Sequence, residues 1–304
     1  MFITYILNKR IRDESMFYKR IQLSGIFISF VMILVVATGC NAPKTPASVI
    51  TKTLGALSLV KSYQLYTDFT DGPGPGSTEW KGSKITDISN RKMSMGMTIT
   101  DTEPENNPEI FSLEMYLING EDYQKDSAVG LYQPNPWTKT TMTGTLWNRE
   151  TQIPFLTELL KTAVQVDSSE NEIVNGIDCY VLTIKPSAQG AVDFAVSQEQ
   201  PFGPQIDVIW GGETPVVRPD AFAGGSIQFW IARDNYLPVK VEINLDFQGD
   251  VGQIGGISTS SFSSTPAANP VDSRFQGELD FSNFNQPVTI QLPPEALNAQ
   301  NVGN

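Results

Sequence analysis

The stretch KMSMGMTITDTEPENNPEIFSLEMYLINGEDYQ, residues 92–124, indicates the fold class of this chain most clearly. It contains two runs that alternate apolar and polar side chains, and the second run ends at Asn119-Gly120 before a further short run begins. Alternation with a period of two is typical of half-buried β-strands, and Asn-Gly between two such runs favours a tight hairpin. The stretch therefore predicts an antiparallel β-meander.

The same pattern recurs outward along the chain. Alternating runs begin at Tyr63 and Val239, and a second Asn-Gly step, Asn175-Gly176, predicts another hairpin. Apolar residues at helical spacing predict helices over 47–61 and 153–164. We expect about ten or eleven strands, arranged as a barrel or curved sheet. The fold class is therefore α+β and mostly β.

Two long stretches interrupt this pattern. Residues 187–225 and 249–272 read as loops, and the first contains Phe202 and Trp210. Long loops with apolar residues are uncommon in compact domains and often carry function. Residues 293–304 are predicted to be a flexible tail. Because no repeat and no seam between domains is evident, we expect residues 47–292 to form one domain.

The composition excludes several classes of protein. The chain has 304 residues, no His and a net charge of −12. Without imidazole, Ser-His-Asp and Cys-His catalysis and His-dependent zinc sites are excluded. The negative charge argues against nucleic-acid binding. No carboxylate pair or metal-binding motif stands out, so we expect no enzymatic activity, no metal and no cofactor.

The N-terminus has the features of an export signal. Five basic residues precede a short apolar run, Ile26–Ala37, which only Ser29 interrupts. At about 1.5 Å per residue, this run is too short to cross a bilayer as a helix. A basic segment, a short apolar run and small residues at its end are typical of a secretory signal peptide. Met16 is an alternative start for it.

The apolar run stops at Ala37-Thr38-Gly39-Cys40, which resembles the lipobox of bacterial lipoproteins. That resemblance implies that residues 1–39 are a lipoprotein signal peptide and that Cys40 is lipidated and becomes the new N-terminus. Ala37 stands where Leu is usual, and the alternative is cleavage at another bond with Cys40 an ordinary thiol. Residues 40–46 are mostly polar and contain Pro, which suits a tether. Loss of residues 1–39, with five basic and two acidic side chains, would leave a net charge of −15.

Three further stretches, taken in order, resemble the LppX-like lipoproteins, which share the LolA/LolB fold of lipoprotein carriers. The resemblance covers roughly Ala47–Pro294, and it implies an unclosed antiparallel barrel with helices against its concave face. It also implies a cavity that accepts acyl chains. Those lipoproteins usually have a short helix after the strand that Ile177–Lys185 matches, whereas this sequence predicts a Gly/Pro-rich loop there. The stretches are ASVITKTLGALSLVKSYQLYTDF (47–69), GIDCYVLTIK (176–185) with IQFWIARDNYLPVKVEI (227–243), and LDFSNFNQPVTIQLPPEA (279–296).

Methionine, leucine and phenylalanine side chains are the candidates for the wall of such a cavity. Methionine adapts to ligands of irregular shape. The alternative is that the same residues form an ordinary filled core. In the first long loop, Phe202 and Trp210 are the candidates for a mouth or lid. The candidate lining is Met93, Met95, Met97, Phe111, Leu113, Met115, Leu117, Leu156, Leu159 and Leu160.

The resemblance implies a function in the cell envelope. We expect a lipoprotein anchored through Cys40 to the outer face of the cytoplasmic membrane, where it binds or ferries a lipid or acylated molecule. A partner lipoprotein or a transporter would then receive the ligand. The alternative is a sensor or interaction module on the same scaffold that binds a partner protein.

Overall fold

The structure is a computed structural model, and it describes residues 45–71, 77–101, 109–128, 137–142, 144–199, 219–248 and 273–302. The chain divides into two units, Met1–Thr45 and Pro46–Asn304, and the second contains every described helix and strand. The predicted signal peptide, Cys40, Phe202, Trp210 and the loop 249–272 lie outside the described residues. Within the described ranges, no helix is long and apolar enough to span a membrane.

Helices and strands follow one another in an order that keeps most neighbouring strands adjacent in the chain. The described residues contain helices α1 Pro46–Leu57, α2 Gly144–Glu150, α3 Gln152–Thr162 and α4 Ala188–Glu199. The first strands are β1 Ser62–Asp71, β2 Thr78–Asp87, β3 Lys92–Asp101, β4 Glu109–Ile118, β5 Glu121–Ala128 and β6 Thr138–Thr141. The remaining strands are β7 Gln165–Ser168, β8 Glu172–Val174, β9 Ile177–Lys185, β10 Phe222–Ala232, β11 Pro238–Phe247, β12 Ser273–Ser282 and β13 Gln300–Asn301.

The thirteen strands form a single sheet in the order β13-β6-β5-β4-β3-β2-β1-β12-β11-β10-β9-β7, with β8 also paired to β9. All described pairs are antiparallel except β13 with β6. In the described residues β7 and β13 end the order without pairing to each other, so the barrel is unclosed. The predicted fold class is confirmed, and the strands beyond the expected number of about ten or eleven are short pieces such as β8 and β13.

Both predicted Asn-Gly hairpins are present. Asn119 and Gly120 join β4 to β5 with φ angles of 55° and 81°, and Asn175 and Gly176 join β8 to β9 with φ angles of 52° and 79°. Positive φ at both central residues is the signature of a type I′ turn, whose twist matches that of paired strands. These two turns therefore set the register of their hairpins.

Helix α4 corrects the prediction of a loop over residues 187–225. The Ser187 hydroxyl oxygen accepts a hydrogen bond of 3.1 Å from the Gly190 N–H, which is the usual N-cap geometry. Ala191, Phe194 and Ala195 then recur at helical spacing and are buried. Gly190 and the Gly/Pro-rich sequence that follows concealed this pattern. The expectation that a Gly/Pro-rich loop directly follows β9 is therefore wrong over Ala188–Glu199.

The predicted flexible tail is also corrected in its described part. Residues Pro294–Asn298 form a 3-10 turn in which Ala296 is fully buried. Gln300 donates a backbone hydrogen bond of 2.8 Å to the Trp137 carbonyl oxygen, and β13 lies parallel to β6. The end of the chain is held by its pairing with β6, and no local sequence pattern indicates that pairing.

The helices cover one face of the sheet, here called the inner face, and bury two apolar clusters against it. The larger cluster joins α1, α3 and α4 to β1 and to β9–β12. The smaller, which we name the methionine cluster, brings Trp147 of α2 onto β3 and β4. Its buried members are Met93, Met95, Leu113, Met115, Leu117 and Trp147.

Candidate functional site

The structure divides the predicted lining residues between the two clusters. The strand residues share the inner face of β3 and β4, where Met93 pairs with Leu117 and Met95 with Met115. Most of them are packed with Trp147 in the methionine cluster. Met97 and Phe111 are only partly buried: Met97 packs against both clusters, and Phe111 packs against the larger one. The helix residues Leu156, Leu159 and Leu160 belong to the larger cluster. The structure therefore does not bring the ten residues together around one open space.

An open space instead lies between α3 and α4. This cleft has a volume of about 470 Å³, within the range of roughly 300–1,000 Å³ typical of small-molecule sites. Leu159 and Phe194 are buried at its floor, and Phe155 is partly exposed. The complete lining is Pro154, Phe155, Glu158, Leu159, Gly190, Asp193, Phe194 and Ser197.

Gly190 lets α4 approach α3 closely at one end of the cleft. A Cβ at this position would lie 3.2 Å from Thr162 Oγ1 and 3.8 Å from Leu159 Cδ2. Contacts of 3.2 Å are tight, so even an alanine would require its neighbours to move. The absence of a side chain at Gly190 therefore allows the helix spacing that defines the cleft.

The rim of the cleft is polar and mostly acidic. Glu158 and Asp193 are both exposed. Lys161 Nζ lies 3.9 Å from Glu158 Oε2, and an exposed ion pair at this distance contributes little to the stability of the fold. Gln189 Nε2 donates a hydrogen bond of 2.7 Å to Asp193 Oδ1. An apolar floor beneath such a rim suits a ligand with an apolar chain, and the acidic rim disfavours an anionic headgroup.

A much smaller cavity, of about 20 Å³, lies on the inner face beside the cleft, and Ser197 borders both. It sits above Gly82, where a Cβ would lie 3.1 Å from both Gly96 O and Thr67 Oγ1. A cavity needs about 10–15 Å³ to hold one water molecule. The space therefore has room for about one water and is too small for an acyl chain.

A buried ion pair borders this small cavity. Lys84 Nζ lies 3.3 Å from Glu150 Oε2 and donates a second hydrogen bond of 2.8 Å to the Glu150 carbonyl oxygen. The two side chains are only 7% and 2% exposed. Lys84 belongs to β2 and Glu150 ends α2, where the helix carbonyl groups carry partial negative charge. The pair therefore ties the helices to the sheet.

The sequence analysis did not predict this ion pair, although the alternation in β2 indicates that its lysine is buried. In β2 the inner-face positions are Trp80, Gly82, Lys84 and Thr86, so alternation alone places a lysine among buried residues. A buried lysine needs a partner, because an isolated ammonium is costly to remove from water. The partner, Glu150, lies 66 residues away and has no local signal.

Tyr63 provides a second tie at the same junction. The Gln152 backbone N–H, at the start of α3, donates a hydrogen bond of 3.2 Å to the Tyr63 hydroxyl oxygen. Tyr63 is fully buried, and this burial raises its pKa to about 12. The junction between α2 and α3 is thus held to the sheet at two polar contacts.

We expect Tyr63 to make the free energy of unfolding depend on alkaline pH. Its pKa is raised to about 12 in the folded chain. The contribution of the neutral Tyr63 hydroxyl to the free energy of unfolding is therefore fully present below about pH 10. Roughly 2–3 kcal/mol of that free energy is lost as the pH rises from 10 through 12. Urea unfolding of the wild type and of Tyr63→Phe, measured from neutral to alkaline pH, isolates the effect. The stability difference between the two should shrink above pH 10, and parallel curves would contradict the assignment.

No protein-family model matches the chain, and no curated protein has a significantly similar sequence. Among solved structures, the lipoprotein LppX of Mycobacterium tuberculosis is 14% identical, with 81% of this chain and 100% of LppX covered at a TM-score of 0.40. LprF of Mycobacterium bovis is 11% identical over 83% of this chain and 99% of LprF, with a TM-score of 0.45. A DUF1329 family protein of Desulfovibrio piger is 12% identical, with 82% of this chain and 96% of that protein covered at a TM-score of 0.25. LppX and LprF, both similar to this chain, are LppX-like lipoproteins.

Proposed function

We propose that this protein is a membrane-anchored lipoprotein that binds a lipid or acylated molecule in the cleft between α3 and α4. The cleft carries the proposal, because it combines a volume of about 470 Å³ with a floor made of Leu159 and Phe194. An acyl chain in this cleft would gain about 25 cal/mol for each Å² of apolar surface buried. The action is non-covalent, and we propose no enzymatic activity.

The N-terminal sequence supports the anchor. Ala37-Thr38-Gly39-Cys40 follows an apolar run that is too short to span a bilayer, as expected of a lipoprotein signal peptide. Lipidation of Cys40 by two or more chains would hold the protein firmly at the outer face of the cytoplasmic membrane. With a net charge of −15 after loss of residues 1–39, the protein would be repelled by anionic headgroups and stand off on its tether.

From that position the protein would reach acylated molecules in the outer leaflet. The acidic rim formed by Glu158 and Asp193 favours ligands whose headgroup is neutral or cationic. We propose that the protein passes its ligand to a partner lipoprotein or to a transporter.

One observation favours a second function. The methionine cluster is a filled core, in which Met93, Met115 and Leu117 are fully buried. A sensor or interaction module that binds a partner protein needs no acyl cavity among these strand residues, so their filled packing favours this second function. Binding of an apolar ligand to the cleft distinguishes the two functions.

We expect Phe155→Ser to weaken the binding of an uncharged acyl probe about tenfold, because the partly exposed ring forms one wall of the cleft. Fluorescence titration of purified residues 46–304 with the methyl ester of cis-parinaric acid, which has no charge for the acidic rim to repel, measures the dissociation constant. Tyr66→Ser is the matched control, since it removes an exposed aromatic ring from a residue outside the cleft. Equal losses in the two variants, or no binding by the wild type, would contradict the proposal.

A further inference from the structure

Exposed isoleucines flank the Asn175-Gly176 turn at the tip of the β8–β9 hairpin. Ile173 is 76% exposed, more than any other large apolar side chain of the described residues, and Ile177 is 40% exposed. Val174, between them at the turn, is half-buried. Single exposed apolar residues are ordinary, whereas apolar residues grouped at one turn indicate a contact surface. This hairpin tip is therefore a candidate contact surface outside the cleft.

The tip can enter lipid with its strand backbone already paired. Val174 pairs with Ile177, and Ile173 pairs with Asp178, in the antiparallel ladder. Unpaired N–H and C=O groups are costly in a membrane, and the ladder reduces their number. From Gly176 to Asp178 the chain rises about 7 Å, within the roughly 5–10 Å to which interfacial apolar groups are buried. The apolar part of the tip thus has the length of a shallow insertion.

Aromatic and basic side chains lie directly behind the tip. Arg233 pairs with Asp178 and lies over the ring of Tyr180, 5.3 Å from its centroid. The rings of Tyr180 and Tyr236 stack with centroids 5.9 Å apart. Lys52 Nζ donates a hydrogen bond of 3.1 Å to the Tyr236 hydroxyl oxygen. Tyrosines and long basic side chains are typical of the headgroup level of a membrane.

The charges at this end of the hairpin suit a lipid surface without net charge. Two positive and three negative side chains leave a local charge of −1, against −15 for the chain after loss of residues 1–39. A zwitterionic surface does not repel such a region, and anionic headgroups would repel the more acidic remainder of the chain. The charged side chains counted are Lys52, Arg233, Glu172, Asp178 and Asp234.

Two further arguments favour a membrane over a protein partner. A stable protein interface buries at least about 1,000 Å² in total, far more than three aliphatic side chains at a turn can supply. Helix α1 is the first described element after residues 40–46, and Lys52 lies about 9 Å along this helix from Pro46. The chain that carries the proposed anchor thus enters the domain near the side chains behind the tip. Resting on that anchor, we propose that the tip of the β8–β9 hairpin inserts into the outer leaflet of the membrane.

Quenching by brominated lipid tests the insertion on the lipidated chain in phosphatidylcholine vesicles. Ile173→Cys is labelled with bimane, and phosphatidylcholine brominated on its acyl chains is the quencher. We expect this label to lose most of its fluorescence, because the bromine atoms quench only groups that reach the acyl chains. Cys179 is fully buried, so the wild type gives the background of labelling. Adding Ile177→Asp should remove the quenching, since a carboxylate opposes entry of the tip into lipid.

The matched control is Val164→Cys. Val164 is 72% exposed, and its N–H donates a hydrogen bond to the carbonyl oxygen of Lys185, at the opposite end of β9 from the tip. From Asp178 to Lys185 the strand rises about 23 Å, so this label should stay in water and keep its fluorescence.

Equal quenching of the two labels would overturn the proposal. No quenching of either label in vesicle-bound protein would also overturn it, and the exposed isoleucines would then be a contact for a protein. A chain that does not stay on the vesicles would instead overturn the proposed anchor, and with it this inference.

Discussion

Replacing Gly277 by Ala is expected to lower the free energy of unfolding by about 3 kcal/mol, the upper part of the usual range for overpacking. Gly277 lies on β12 opposite Phe69 on β1. A Cβ at Gly277 would meet the Phe69 ring and would lie 2.6 Å from the Asp68 carbonyl oxygen. Because the second contact is with backbone, it cannot be relieved by a change of side-chain rotamer.

The location explains why this effect should be large. Among the described residues, strands β1–β6 are joined to strands β7–β13 by the long pairing of β1 with β12 and by the short pairing of β6 with β13. Across Gly277, the ring of Phe69 stacks on that of Phe275 with centroids 5.1 Å apart. Displacing Phe69 would therefore disturb both the pairing and the floor of the small cavity.

Urea unfolding of Gly277→Ala and of a matched variant, Gly96→Ala, provides the measurement. Gly96 is also in a strand, but a Cβ there would meet nothing within 4 Å. We expect Gly96→Ala to change the free energy of unfolding by less than about 1 kcal/mol. If both variants lost similar amounts of the free energy of unfolding, the close contacts at Gly277 would not be the reason why this position requires glycine.

Replacing Lys84 alone by Met is expected to cost about 3–5 kcal/mol, because Glu150 would remain buried without its cation. Glu150 is 2% exposed, so water cannot replace the lost hydrogen bonds without a rearrangement of α2. The double replacement Lys84→Met/Glu150→Met removes both charges. It should bring the loss back to within about 1–2 kcal/mol of the wild type, since apolar side chains of similar size can replace buried ion pairs.

A double-mutant cycle by urea unfolding measures the coupling between the two side chains. The same cycle at Lys240 and Glu278 is the control, since those side chains are 21% and 43% exposed. Partly exposed pairs couple by about 1 kcal/mol or less. A coupling at Lys84 and Glu150 as small as the control would mean that the pair does not tie α2 to the sheet.

The local signals in the sequence were sufficient for most strands and for the fold class. Asn119-Gly120 and Asn175-Gly176 each determine a turn through the positive φ that their residue types tolerate, so the hairpins could be predicted from two residues apiece. Helix α4 was missed because Gly190, in its first turn, lowers helix propensity, although Ser187 caps the helix. The pairing of β13 with β6 could not be predicted, because neither strand is long enough to show alternation.

The candidate site was less predictable than the fold for a physical reason. An alternating apolar strand has the same sequence pattern whether it lines a cavity or a filled core. The difference at Met93, Met95 and Met115 is made by Trp147, which reaches them from α2. The cleft itself forms between α3 and α4, and α4 was not predicted, so only Leu159 of the predicted lining borders it.

The most direct test of the central claim, that the chain binds an acylated ligand, is native mass spectrometry of residues 41–304 without Cys40 lipidation, purified from a lipid-containing host. We predict an added mass, which lipid extraction would identify as an acylated molecule. The added mass should be lost in Phe155→Ser and kept in Tyr66→Ser. A bare protein mass that persists after incubation with lipid vesicles would contradict the claim, and the interaction-module function would then be the better account.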